Sequence, residues 1–197
     1  MAKRLAVLFV LSLLLPAAAA AATVHVRVEG KTQTVWGPTA PLLDAGNALE
    51  ALEQASIAGE FYYHVTVSGF GRYVDQVGRY GGTDSSGWVF KVNNASPPVG
   101  ADQVTLEDGD SVLWYYAIFG PSGGPPTLAL GAVAGGCYRV SAYDDAGKPV
   151  AVTGVVVHVG SKRSIPATVG ARVCPGPHPG VLVRATAPSA VRSNART

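Results

Sequence analysis

The sequence predicts an α+β domain followed by a small all-β sandwich. Three observations carry this reading. One helical segment stands among several strand-like segments before residue 118, no helical period follows it, and a Gly/Pro-rich stretch separates the two regions. The chain has 197 residues, enough for a leader and one or two small domains.

Residues 1–22 read as a signal peptide. Lys3 and Arg4 form a positive start, Leu5 to Leu15 an apolar run, and Pro16 ends it. Ala20-Ala21-Ala22 supplies the small-residue cleavage pattern, so the mature chain is expected to begin near Thr23. The apolar run is too short for a membrane span, which needs about 20 residues. No integral membrane segment is expected after cleavage, and the protein is expected to be secreted or extracytoplasmic, in the cell envelope.

The first domain is placed at residues 23–118. Val24, Val26 and Val28 alternate with His25 and Arg27, the period of a half-buried strand. Gln33 to Trp36 pairs with it across Glu29-Gly30-Lys31. The helix is expected over Ala48 to Ile57: Asn47 is an N-cap, Glu50 stands three residues on, Leu49, Leu52 and Ala55 make an apolar face, and Gly59 stops it. Phe61 to Val67 and Arg72 to Val77 return to strand composition. Two aromatic strands close the domain, one with Trp88 and Phe90, the other with Val112, Trp114 and Tyr116. Alternate strand positions share a face, so each lays an aromatic stripe on one side of a sheet. Asn93-Asn94 and Asp108-Gly109-Asp110 are turn chemistry between them.

Residues 119–127 are a Gly/Pro linker. The second domain, 128–187, shows strand-like stretches at Tyr138 to Tyr143, Val150 to Val159, Ser164 to Val173 and Val181 to Thr186. Short strands at that spacing suggest a β-sandwich. Residues 188–197 read as a flexible basic tail. Cys137 and Cys174 are the only cysteines; in an exported chain an even pair reads as a disulfide, the alternative being two unpaired buried thiols.

Charge is split between the halves. Thr23 to Gly120 carries five basic and eleven acidic residues, a net of −6; from Pro121 on, eight basic residues face only Asp144 and Asp145, a net of +6. Such asymmetry points to halves that attract each other or to two different partners.

The catalytic inventory is thin. Gly120-Pro121-Ser122-Gly123-Gly124 matches G-x-S-x-G, with Asp144, Asp145 and His158 following. A nucleophile elbow needs a helix directly after the serine, and Pro125-Pro126 stand there instead. No CxxC or paired histidine makes a metal set; Glu107, Asp108 and Asp110, or Asp144 with Asp145, fall short of a calcium loop and read as turn residues. The basic half lacks the aromatic interleaving of a nucleic-acid surface. The chain is therefore taken as non-enzymatic, with no catalytic or metal site, no cofactor and no nucleic-acid partner. The aromatics that remain, if they face outward, form a ligand surface from Tyr62, Trp88, Trp114 and Tyr115.

These elements together carry a resemblance. The strand pair, the helix Asn47-Ala48-Leu49-Glu50-Ala51-Leu52-Glu53-Gln54-Ala55, Tyr73-Val74, Gly87-Trp88 with its Val92-Asn93 turn, and Asp108-Gly109-Asp110 before an aromatic strand occur in order over about residues 24–117. They resemble a family of secreted bacterial domains of unknown function related to the C-terminal domain of transcobalamin and intrinsic factor. The resemblance implies a β-grasp-like fold with one main helix, and a domain whose vertebrate relatives contact one face of cobalamin. Asp145-Ala146-Gly147-Lys148-Pro149-Val150 and the strand Val181 to Ala185 resemble a carboxypeptidase-regulatory or prealbumin-like sandwich, usually a non-catalytic appendage. The expected role is an exported binding module that presents an aromatic sheet surface to a small ligand, cobalamin-like among the candidates, or to a cell-surface partner. The alternative is a structural or adhesive envelope protein that holds anionic polymers with its basic half.

Overall fold

The computed structural model describes residues 21–68, 71–121 and 123–197. The expected leader up to Ala20, and Ser122 of the G-x-S-x-G match, lie outside the described residues. The first half contains β1 (Ala22–Glu29), β2 (Thr34–Trp36), β3 (Leu42–Ala45), α1 (Ala48–Gly59), β4 (Tyr63–Ser68), β5 (Gly71–Val77), β6 (Tyr80–Gly81), β7 (Ser86–Val92) and β8 (Ser111–Ile118). The second contains β9 (Thr127–Val133), β10 (Cys137–Tyr143), β11 (Val155–Val159), β12 (Arg163–Ala167), β13 (Arg172–Val173) and β14 (Val183–Thr186).

The fold is all-β, which corrects the expected α+β class and its β-grasp-like domain with one main helix. Strand accounts for 50% of the structure and helix for 7%, spread over several small sheets. Strong capping signals gave the helix undue weight in the sequence. It is real but short, and covers only part of one sheet face.

α1 forms as its residues dictate. The Asn47 side chain accepts from the Glu50 amide at 2.9 Å, and the Glu50 carboxylate reaches back to Asn47 Nδ2 and the Gly46 amide, both at 2.8 Å. This satisfies amides that a helix start leaves orphaned. Ala48, Ala51, Leu52 and Ala55 are its buried face, and the alanines let it lie close to the sheet. Burying Leu52 contributes about 1.5–3 kcal/mol. Gly59 is required by packing: a Cβ there would stand 2.2 Å from the Trp36 ring. The left-handed residue that ends the helix is Glu60, at φ 50°.

The main sheet has the order β2-β1-β8-β7, with β3 also on β1. β1 and β8 are parallel and the other pairs antiparallel. In the β7–β8 register Trp88 faces Tyr116, Phe90 faces Trp114 and Val92 faces Val112. The two aromatic stripes therefore form one ladder, with ring centroids 5.8 Å apart for Trp88–Tyr116 and 5.1 Å for Phe90–Trp114. The ladder packs on the core built from Val24, Val26 and Val28 of β1 and from α1. Val92 and Ala95 exchange backbone bonds around Asn93 and Asn94, both at positive φ, a tight two-residue hairpin turn. A second sheet, β4-β5-β6, packs its Val74 and Val77 onto the same core.

The opposite face of the main sheet is covered by the second half. There the sheets β13-β10-β9 and β12-β11-β14 share one core of Leu128, Leu130, Val140, Val155, Val157 and Ala185, among others. The stretch expected as strand from Val150 starts only at Val155, and Ser164 to Val173 divides into β12 and β13. Cys137 and Cys174 are disulfide-bonded across a sequence separation of 37. No helix among the described residues is long and apolar enough to cross a membrane.

The expected flexible tail, 188–197, is instead packed. Ser193 and Ala195 are buried, the Asn194 side chain bonds both the Leu130 amide and carbonyl, and the Ala195 amide donates to Pro38 O at 2.6 Å. Arg192 anchors it on Glu29, which is fully buried at the end of β1. The Glu29 carboxylate meets Arg192 Nε at 2.7 Å, Arg27 at 3.1 Å and Arg184 at 3.7 Å, and accepts from Thr34 Oγ1 at 2.8 Å. Arg192 also donates to Gly30 O. The charge asymmetry thus finds one use inside the molecule, an acid of the first half clasped by arginines of the second.

Candidate functional site

A cavity of about 330 Å³ opens at the free edge of β7. β8 occupies the inner edge of β7, and among the described residues no strand pairs with the outer one. β5 forms the facing wall through Arg72, Tyr73 and Val74, the segment Ser96–Ala101 closes one end, and Trp88, Phe90 and Trp114 supply ring surface. Asp145, from the second half, and Tyr115 line it from the other side of the sheet.

The backbone direction along β7 follows from its ends. Ser86 exchanges bonds with Thr83 and Val92 with Ala95, both on the outer side, while the Asn93 amide bonds Ser111 O across the inner edge. Strand alternation in an antiparallel pair then turns the N–H and C=O of Trp88 and Phe90 outward. They point away from β8 into the cavity their rings line.

The aromatics are held by polar bonds elsewhere. Trp114 Nε1 donates to Ala48 O at 2.9 Å and Trp88 Nε1 to Tyr80 O at 2.8 Å. The two indoles are thereby fixed in place, with their rings packed mostly into the α1 core.

Where the sheet meets the second half, a buried polar cluster sets the cavity floor. Lys91 is 1% exposed; its Nζ donates to Asp144 O at 2.6 Å and to Tyr143 O and Thr127 Oγ1 at 3.3 Å, and lies 3.5 Å from Asp145 Oδ1. Asp145 also accepts from the Tyr115 hydroxyl at 3.3 Å and from the Gly124 amide at 3.0 Å. Burial lowers the Lys91 pKa, with Asp145 and Asp144 opposing it. Burial, joined by the Asp145 charge, raises that of the Tyr115 phenol. The Asp145 carboxylate is thus tied to Lys91, Tyr115 and Gly124 on its inner side, while its side chain stays 42% exposed. Arg72, exposed on β5, has no ion pair among the described residues.

The structure redistributes the residues singled out in the sequence. Trp88, Trp114 and Tyr115 come together around the cavity, but all three are buried, at 7%, 2% and 1% exposure. The expected open aromatic surface does not exist, because Trp88 and Trp114 face the α1 core and the second half covers Tyr115. Tyr62 is 59% exposed just before β4 and is not a wall of the cavity. Phe90, Val74, Arg72 and Asp145 are walls that the sequence reading left out of the site. Phe90 could have been found, since it stands two residues from Trp88 on the same face. Arg72 and Asp145 could not, because only tertiary packing brings them there.

Other candidate groups have structural partners. Asp108 accepts from the Thr23 amide at 2.8 Å, Asp110 from Asn93 Nδ2 and the Glu107 amide at 2.6 and 2.8 Å, and Asp144 from the Lys148 amide at 2.8 Å. His158 bonds Ser164 Oγ and Thr186 Oγ1 at 3.0 and 2.8 Å. Among the described residues no group of three or more His, Cys, Asp and Glu side chains could hold a metal ion.

No curated protein matches the chain. A family model described as a domain of unknown function (DUF4430) matches residues 45–117, the segment that holds α1, β4 to β8 and with them the aromatic walls of the cavity.

Proposed function

We propose that the chain is an exported, non-enzymatic binding module that takes a small apolar ligand into the cavity at the β7 edge. One observation carries the reading: about 330 Å³ of space walled by Trp88, Phe90 and Trp114, with few polar groups converging on it. Ligand sites are concave, largely apolar and about 300–1,000 Å³ in volume. The disulfide is consistent with an extracellular protein, which fits export. The resemblance to the transcobalamin C-terminal domain brings in cobalamin. A corrin is far larger than this cavity, so only an edge of it, such as an amide arm, would enter. The adhesive alternative loses ground because Arg184 and Arg192 of the basic half are spent on Glu29.

Amide and indole resonances in ¹H–¹⁵N NMR spectra test this, recorded during titration with indole and, separately, with cyanocobalamin. Saturable shifts of Trp88, Phe90 and Trp114 are expected with indole, and Pro97→Trp, which fills the cavity mouth, should abolish them. Shifts that never saturate, or that survive Pro97→Trp, refute the cavity as a site.

A further inference from the structure

We propose that a cleft between the two halves, walled by His25, Arg27 and Arg196, binds a small anionic sugar, one that carries a phosphate or a carboxylate beside its hydroxyls. The cleft shares no wall with the cavity at the β7 edge, and the inference does not rest on that cavity.

Strand alternation makes the cleft. Val24, Val26 and Val28 of β1 pack into the α1 core, so His25, Arg27 and Glu29 face the other way, toward the second half. Ser111 and Leu113 stand beside them on β8, in parallel register with His25 and Arg27. The facing sheet turns Leu128 and Leu130 of β9 and Val140 and Ala142 of β10 into its own core. It therefore presents Ala129, Gly131 and Ser141 outward. These residues are small: among the described residues the nearest atom to a Cβ built at Gly131 is the Arg139 carbonyl oxygen, 4.0 Å away. The two faces consequently stay apart here and enclose about 380 Å³.

The charge of the walls is one-sided. His25, Arg27 and Arg196 line the cleft, and no Asp or Glu side chain among the described residues does. The carboxylates around it are committed elsewhere. Asp110 accepts from Asn93 Nδ2 and the Glu107 amide, Asp144 from the Lys148 amide, and Asp145 pairs with Lys91. Glu29 is one carboxylate among three guanidinium groups. Thr197, next to Arg196, lines a separate hollow.

Arg27 is the built part of the site. It is 6% exposed, and its Nη1 donates to Glu29 Oε1 at 3.1 Å and to the Arg192 carbonyl at 2.6 Å. Its Nε and Nη2 have no partner among the described residues, yet both reach open space. Burial lowers the Arg27 pKa, and the Arg184 and Arg192 charges add to this against Glu29. An oxyanion in the cleft relieves both effects, and a guanidinium fork suits phosphate and carboxylate alike. His25 Nδ1 donates to the Ala40 carbonyl at 2.9 Å, which leaves Nε2 as the free ring nitrogen. The hydroxyls of Ser111 and Ser141, on opposite walls, and the Asn94 side chain make no hydrogen bond among the described residues. A cleft in the size range of small-molecule sites holds more than a bare ion, and these groups suit sugar hydroxyls, which both donate and accept.

The probes are glucose 6-phosphate, glucuronate, glucose and inorganic phosphate. Each is titrated into the full chain and followed by the amide resonances of Ser111, Leu113, Ala129 and Gly131 and by the Arg27 Nε–H resonance. At least one of the two anionic sugars is expected to give saturable shifts that include Arg27 Nε–H. It should bind at least tenfold more tightly than glucose, the share of a charge-assisted bond, and at least threefold more tightly than inorganic phosphate. The tighter of the two identifies the anion as phosphate or carboxylate. Gly131→Leu, which fills the cleft, should weaken binding at least tenfold. Arg196→Gln, at an exposed residue, should weaken it at least threefold without disturbing the packing. Glucose binding as tightly as both anionic sugars, or unchanged affinity in Arg196→Gln, overturns the anion contact; inorganic phosphate binding as tightly overturns the sugar. No saturable binding of either anionic sugar, or shifts that leave Arg27 silent, overturns the site. Indole binding at the β7 edge is read from Trp88 and Phe90, so the two sites stand or fall separately.

Discussion

Glu29 joins the two halves through Arg184 and Arg192. It is fully buried, and its carboxylate is the counter-charge for Arg27, Arg184 and Arg192 together. Glu29→Gln keeps the shape and removes the charge, leaving three guanidinium groups clustered around a neutral amide. Burial already lowers the pKa of Arg27 and Arg184, with Glu29 opposing that shift in both. Breaking a buried ion pair by removing one partner costs about 3–5 kcal/mol, because the remaining charge stays desolvated. For a domain of this size that is a fall in Tm of about 6–20 °C. Calorimetry and urea unfolding of wild type and variant measure it. Adding Arg192→Gln to the variant should recover part of the loss, since one orphaned charge is removed. A loss below about 1 kcal/mol, the range of solvated surface pairs, would refute the view that this cluster is a buried clasp.

Further outcomes follow from single interactions. Asn47→Ala removes the cap of α1 and should cost about 1 kcal/mol in urea unfolding. Replacing Cys137 and Cys174 by serine should cost about 2–5 kcal/mol, and reductant should no longer affect the variant's Tm. Gly59→Ala forces a methyl against the Trp36 ring, and a destabilisation of about 1–3 kcal/mol is expected from overpacking. Alkaline pH tests the Tyr115 cluster. The folded pKa of Tyr115 is raised, so its contribution is full below the unfolded value of about 10 and is lost as pH rises above that. Lys91 works the other way: between its lowered folded value and its ordinary value of about 10.4 the unfolded chain binds more protons, and stability rises with pH. Tyr115→Phe should lose less stability than wild type above about pH 10; parallel curves contradict the assignment.

How much was legible in the sequence can be judged from particular residues. The capping of α1 by Asn47 and Glu50, the valine alternation of β1 and the Asn93-Asn94 and Asp108-Gly109-Asp110 turns are local signals, and the structure holds each where the residues put it. The pairing of Trp88 with Tyr116 and of Phe90 with Trp114 follows from the same two-residue period. What lay beyond reach was the covering of each face. Alternation shows that Trp114 and Tyr115 point to opposite sides, but whether the second side meets water depends on where the second half docks. It docks there, so Tyr115 is buried and the open surface is lost. The all-β character was obscured for a related reason: β3, β6 and β13 are two to four residues long and carry too little period to read. The packed end of the chain, Arg192 to Arg196, looked like a solvated basic tail because its acidic partner lies more than 160 residues away.

Intermolecular NOEs from a bound probe test ligand binding in the cavity at the β7 edge most directly. With indole, NOEs are expected to the ring protons of Phe90 and Trp114 and to the methyls of Val74. A probe that instead shows NOEs to Tyr62 or Val67, with the rings of Phe90 and Trp114 silent, would contradict it.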